Sequence, residues 1–175
     1  LLTHGTLQVL AICDKPEPLD GPFFEETIYR MPSLAPHTLQ RRIAEVVAAA
    51  CAALGLHHGP VHAECRVSGD TVYVLEVAAR PIGGLCSSAL RFRSTAAKAA
   101  GGTGVFVSLE EVILRHALGE DVTSYVREDA ASGVMMIPIP KRGVYRSVGG
   151  LEEAARVPGI EDICITAKPD AMLAP

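Results

Sequence analysis

No stretch of this 175-residue sequence is apolar for long enough to cross a membrane as a helix, and no basic-then-apolar leader opens it. A membrane partner is therefore not expected, and the expected location is cytoplasmic. Runs of lysine or arginine are missing too. With 16 basic and 20 acidic residues the net charge is −4, which argues against nucleic acid as a main partner. Cysteine is odd in number, five in all, scattered mostly through apolar stretches, and no Cys/His cluster has zinc spacing. That pattern reads as reduced, buried thiols, neither a disulfide framework nor a zinc site. The glycine run at 101–104 is followed by no P-loop lysine, so it is weak as a phosphate cradle. What is there is ample apolar content (49%) with moderate, mixed charge (21%): enough core for one ordinary globular domain, or one plus a small appendage.

The most informative stretch is Gly59–Leu85, GPVHAECRVSGDTVYVLEVAARPIGGL. Val61–Val67 and Thr71–Val77 are β-prone, and Ser68-Gly69-Asp70 between them is turn chemistry. Alternation puts Val61, Ala63, Cys65 and Val67 on one face of the first strand, and Tyr73, Leu75 and Val77 on one face of the second. If these apolar sets share a face, Glu64 sits across from Glu76, in a register that needs a three-residue loop or a bulge. Opposed carboxylates repel. They could simply be solvated, Glu64 beside Arg66, or a divalent cation between them could turn the repulsion into a binding site. Oxygen ligation would select Mg²⁺ or Mn²⁺. Arg80-Pro81-Ile82-Gly83-Gly84 then leaves the second strand, with a guanidinium fork for a carboxylate or phosphate and glycines that open the backbone to a ligand. His62 shares the proposed acidic face.

The run HAECRV…VYVLEVAARPIGG resembles the C-terminal part of the ATP-grasp carboxylate–amine ligases. It is most similar to the branch of L-amino-acid (dipeptide) ligases and phosphoribosylglycinamide synthetase-related proteins, and the likeness covers nearly the whole chain. The resemblance implies that Glu64 and Glu76 hold Mg²⁺ against the ATP phosphates. It implies that Arg80, as the catalytic residue, and Gly83 contact the substrate or its acyl phosphate. It also implies that Glu26, in the FFEETIY stretch Phe23–Tyr29, lies near the substrate amino group. Tyr29 falls where some relatives have histidine. Ala78 replaces an asparagine that many relatives use as a further metal ligand.

The implied activity is activation of a carboxylate as an acyl phosphate by MgATP, followed by attack of an amine, with ATP, a small carboxylate and an amino acid as partners. The sequence starts at Leu1 without a methionine, and it contains no lysine-bearing, glycine-rich loop of the kind such ligases place over the ATP phosphates. The expectation is thus a fragment with an incomplete active site, inactive without an N-terminal half, and a homodimer is a further candidate assembly. Two alternatives stand beside this: a non-catalytic remnant serving as a nucleotide-binding or dimerisation module, and a purine-pathway ligase resembling phosphoribosylglycinamide synthetase.

The expected fold class is α+β: an antiparallel sheet with packed helices over residues 1–118, the C-terminal subdomain of an ATP-grasp domain, and a small β-rich domain over 119–175. Thr6–Asp14 reads as a buried strand, the proline-punctuated 15–22 as a loop. Pro36 and Gly55 bracket a helix from about Pro36 to Leu54, with Leu39, Ile43, Val46, Val47, Ala50 and Leu54 toward the core. His57 and His58 read as surface turn residues. Leu85–Phe92 reads as a short helix whose N-terminus suits an anion, with Arg91 and Arg93 in reach of phosphate; 94–104 reads as a mobile loop. Ser108-Leu109-Glu110-Glu111 is a capping box opening a helix to Leu118, with Leu109, Val112, Ile113 and Leu118 buried. Beyond it, 133–140, 143–148 and 160–166 read as strands, Leu151–Arg156 as a helical turn, and Met135 and Met136 as core filler.

Overall fold

Every strand pairing among the described residues is antiparallel. A computed structural model describes residues 1–16, 27–96, 105–139 and 141–174. In chain order it holds β1 (Leu2–Thr3), β2 (Thr6–Leu7), β3 (Ile28–Met31), α1 (His37–Ala53), β4 (His62–Ser68), β5 (Thr71–Ala78), α2 (Leu85–Ser88) and β6 (Arg91–Ser94). There follow β7 (Val107–Ser108), α3 (Leu109–Ala117), β8 (Tyr125–Arg127), β9 (Ser132–Met135), β10 (Gly143–Val144), α4 (Leu151–Ala155) and β11 (Met172–Leu173). This is the α+β class expected. The chain divides into two units, Leu1–Met135 and Met136–Pro175. Strands β8 and β9 pair within the first unit, with β6 and β3, so this division lies 17 residues beyond the sequence-based boundary at 118/119.

The first unit has two buried clusters. Leu2, Val47 and Cys51 gather Ile43 of α1, Val61 just before β4, and Ala63, Cys65 and Val77 of the β4–β5 hairpin. Leu1, Met31, Leu90, Phe92, Leu109, Val112 and Val122 form the other. Proline and glycine do bracket α1: Pro36 is its N-cap, and Gly55 follows its C-terminus with φ +72°. The core stripe of α1 is Ile43, Val47 and Cys51; Leu54 is 62% exposed because it lies past the last helical turn. The capping box forms, with Ser108 Oγ accepting from the Glu111 N–H at 3.2 Å. Leu109 and Val112 of α3 are buried, but Leu118 is exposed and His116 takes the fourth inward place.

Three other segments differ from expectation. Of Thr6–Asp14 only Thr6–Leu7 is a strand, pairing with β1; Asp14 makes a lone bridge to Arg30. The segment Leu85–Phe92 is helical for only four residues and then becomes β6, whose Phe92 is fully buried between β7 and β8. Pairing with two neighbours overrides the helical propensity of LCSSAL, and so short a helix offers no anion-binding terminus. In the second unit β10 and β11 pair and α4 forms, but Ile160–Thr166 is not a strand. Met135 and Met136 are exposed, so neither fills a core. The glycine run at 101–104 lies outside the described residues.

Candidate functional site

The β4–β5 hairpin turns through two residues, Gly69 and Asp70, between the pair Ser68↔Thr71. Glycine with positive φ (+55°) at the first turn position is the type II′ pattern, which matches strand twist. From the tip the ladder runs Val67↔Val72, Arg66↔Tyr73 and Cys65↔Val74, then slips, so that Leu75 has no partner and Glu64 faces Glu76. The bulge thus delivers the opposed acids, and it also revises the expected core face. Val72 and Val74, not Tyr73 and Leu75, share the side of Cys65 and Val67; Tyr73 and Leu75 are 54% and 64% exposed. Past the bulge the phase resets, and Val77 returns to the core opposite Ala63. Arg42 of α1 ties down the tip by donating to the Asp70 carbonyl.

Ala63 and Val77 pack toward α1, so their neighbours His62, Glu64, Glu76 and Ala78 occupy the other face. Glu64 and Glu76 are opposed there as expected. Each acid has a basic neighbour: Lys15 Nζ lies 3.3 Å from Glu64 Oε2, and Arg80 Nη2 lies 3.8 Å from Glu76 Oε1. Arg80 Nη1 donates to the Pro81 carbonyl at 3.0 Å and stands 3.3 Å from His62 Nδ1. His62 Nε2 is 3.7 Å from Glu64 Oε1. Sequence reading missed Lys15, which sits in a proline-rich stretch with no periodicity to mark it. It is placed by its neighbour. The Asp14 backbone exchanges two 2.9 Å hydrogen bonds with Arg30, and the Asp14 carboxylate accepts from Arg30 Nη2 at 2.9 Å and the Leu34 N–H at 2.8 Å. Burial alone would raise the Asp14 pKa, but hydrogen bonds from Ser33, Leu34 and Arg30 outweigh it and hold the carboxyl below its ordinary value. Lys15 also lies 5.6 Å from the centre of the Tyr29 ring.

A cavity of about 740 Å³ opens among the 7–16 stretch, α1 and β4. Lys15, Tyr29, Arg30, His62 and Glu64 are among its lining, in a volume suited to a small-molecule ligand. Pro81 and Ile82 also line it, whereas Glu76 and Arg80 stand outside. Gly83 has no positive φ, and a Cβ there would meet nothing within 4 Å. The residue whose backbone demands glycine is Gly84, at φ +62° and ψ −152°. Glu26 lies outside the described residues.

Among the described residues, no group of three or more His, Cys, Asp or Glu side chains is placed to hold a metal ion. Two carboxylates on one face still fit a hard cation that takes one or two protein oxygens and completes its shell from phosphate and water. All five cysteines are free. Burial, then Cys86 and Asp14, push the Cys13 thiol up to about 11, so it stays protonated and inert. No helix among the described residues is long and apolar enough to cross a membrane.

Away from the hairpin face, His58 stacks on His116 with ring centres 4.3 Å apart, and His4 lies 5.0 Å from His58 and 5.9 Å from His57. His57 and His58 are exposed as expected; the buried His116, bonded through Nε2 to Thr3 Oγ1 at 2.9 Å, was not foreseen.

Comparison with known proteins bears on this arrangement. No curated protein sequence matches the chain. Its structure is similar to the crystal structure of L-amino acid ligase from Bacillus licheniformis, with a TM-score of 0.80 and 27% identity, over 100% of this chain and 41% of that one. The chain thus spans less than half the length of that relative. The ATP-grasp domain family matches residues 1–89, half of the chain and all of the hairpin with its Arg80–Gly84 exit; the chain belongs to the ATP-grasp family and is similar to its amino-acid ligase branch.

Proposed function

We propose that this chain forms part of an ATP-dependent carboxylate–amine ligase that joins an amino acid, as acid or amine, to a second substrate. Family membership and likeness to an L-amino acid ligase support it. The observation that carries it is the opposition of Glu64 and Glu76 on one face, with Arg80 beside them.

In this reading Glu64 and Glu76 would hold Mg²⁺, which would supply charge shielding for the ATP phosphates. The substrate carboxylate attacks the γ-phosphorus, ADP departs, and an acyl phosphate forms. The amine nitrogen then attacks the acyl carbon, and the C–O bond to phosphate breaks, with the departing phosphate taking up the proton lost from nitrogen. Little covalent chemistry falls to the protein, which positions the reactants and balances charge. Arg80 binds the phosphoryl oxygens or carboxylate, where a fixed cation favours the charge that develops. The Gly83 N–H, on open backbone, supplies a second donor, and Glu26 orients the amine. Lys15 balances Glu64 before nucleotide arrives.

The test is ADP release by the intact protein with MgATP and a panel of amino acids, paired with calorimetric nucleotide binding. ADP release that depends on both an acid and an amine is expected. Nucleotide binding without turnover on any pair would instead favour a binding module.

A further inference from the structure

At the root of the hairpin, the face that carries Glu64 and Glu76 also holds His62, which the mechanism above leaves without a task. His62 stands directly across from Ala78, one step beyond Ala63↔Val77 from the acid pair. Ala78 contributes only a methyl group, so the imidazole is the polar group of that pair. Its two nitrogens meet different partners, Nδ1 at 3.3 Å from Arg80 Nη1 and Nε2 at 3.7 Å from Glu64 Oε1. A guanidinium only donates, so Nδ1 accepts and the ring proton sits on Nε2, turned to the carboxylate. The side chain of His62 is 18% exposed and that of Arg80 55%. The histidine is therefore the fixed member of the pair and the arginine the one that needs holding. Without it, Arg80 keeps the Pro81 carbonyl and Glu76, and leans on the acid it should stand beside.

We propose that His62 is a positioning residue. Its Nδ1 accepts from the Arg80 guanidinium and holds it at the edge of the acid pair, so that the ring fixes where the anion-binding group stands beside Glu64 and Glu76. The kinetic consequence rests on the ligase reading; the His62–Arg80 link does not.

Amide side chains separate the two ends of the ring: asparagine places its oxygen near the position of Nδ1, glutamine near that of Nε2. In the intact enzyme His62→Ala lowers kcat for ADP release on the order of 10- to 100-fold, the range for a displaced reactive group. The KM for ATP changes less than about three-fold, since ground-state binding is spared. His62→Asn recovers most of the rate and His62→Gln does not. No loss in His62→Ala, or equal loss in all three variants, overturns the proposal. Independently of turnover, ¹⁵N NMR of histidine-labelled protein reads the His62 tautomer. The Nε2–H form is expected, with an Nδ1 resonance that moves in Arg80→Gln; a resonance that stays put removes the contact and the proposal with it. If the wild type releases no ADP while that resonance does move, the ligase reading fails and the His62–Arg80 tie stands.

Discussion

The two ends of the β4–β5 hairpin obey different rules. From the turn to Cys65↔Val74 the ladder is regular: Val67, Val72 and Val74 share the side of Cys65, Arg66 and Tyr73 take the other, and no charged pair is opposed. Beyond the bulge the outer face turns charged, with two acids opposed, a lysine and an arginine at their flanks, and a histidine next in line. The tip is built for fold stability and accepts nothing costly. The root holds an opposed acid pair that a sheet would ordinarily avoid, each acid offset by a basic neighbour, Lys15 for Glu64 and Arg80 for Glu76.

Substitutions separate the two ends. On the proposed ligase reading, the largest effect is expected from Glu76→Gln or Glu64→Gln in the intact protein, on the order of 100- to 1000-fold in kcat, the usual loss for one charge-stabilising group at a reacting centre. Denaturant midpoints of these variants should hold or rise as the repulsion goes; Tyr73→Ala at the tip should leave turnover within about two-fold, as an exposed side chain remote from the chemistry. Next comes Gly83→Ala. Since a Cβ there meets nothing within 4 Å, stability should stay within about 0.5 kcal/mol while kcat/KM falls about ten-fold. An unchanged kcat/KM would mean that no ligand approaches that backbone. Gly69→Ala does the reverse. Forcing a side chain into φ +55° costs about 1–2 kcal/mol of stability, read by urea titration, with kcat unchanged per folded molecule.

The smallest expected effect sets the pH for the rest. Burial, then His58, the Leu1 amino group and His4, hold the His116 pKa below 6.5. Protons therefore bind the unfolded chain more readily than the folded one. This contribution is complete above the unfolded value of about 6.5, and is lost as pH falls from there through the lowered folded value. His116→Leu should flatten the pH dependence of the urea midpoint below about 6.5 while keeping it near constant above. Tip and root variants compare cleanly only on the alkaline side of that limit.

What could be read from the sequence follows how local its cause was. Pro36 and Gly55 punctuate α1 within its own span, and Ser108 caps α3 through a bond to Glu111, three residues on. The acids of the hairpin follow from alternation and one turn. β6 was hidden because its strand character comes from β7 and β8, although the alternation of Arg91, buried Phe92 and Arg93 was a period-two signal available in advance. Pairing of β3 with β9 links segments about a hundred residues apart, which no local pattern encodes. Lys15 was missed for the same reason, since its approach to Glu64 follows from the Asp14–Arg30 anchor and not from spacing. Tyr73 and Leu75 were assigned inward because alternation was carried through a position where the strand holds an extra residue.

The unpaired Leu75 also has a consequence for aligning this chain with its relatives. A one-residue gap between Val67 and Leu75 can be taken up on the turn side of the bulge, with both acids kept opposed. The same gap placed between Leu75 and Arg80 would send Glu76 or the guanidinium to the wrong side of the sheet. Length variation in related sequences should therefore cluster on the turn side, and an aligner that ignores the bulge will misplace the second acid by one column.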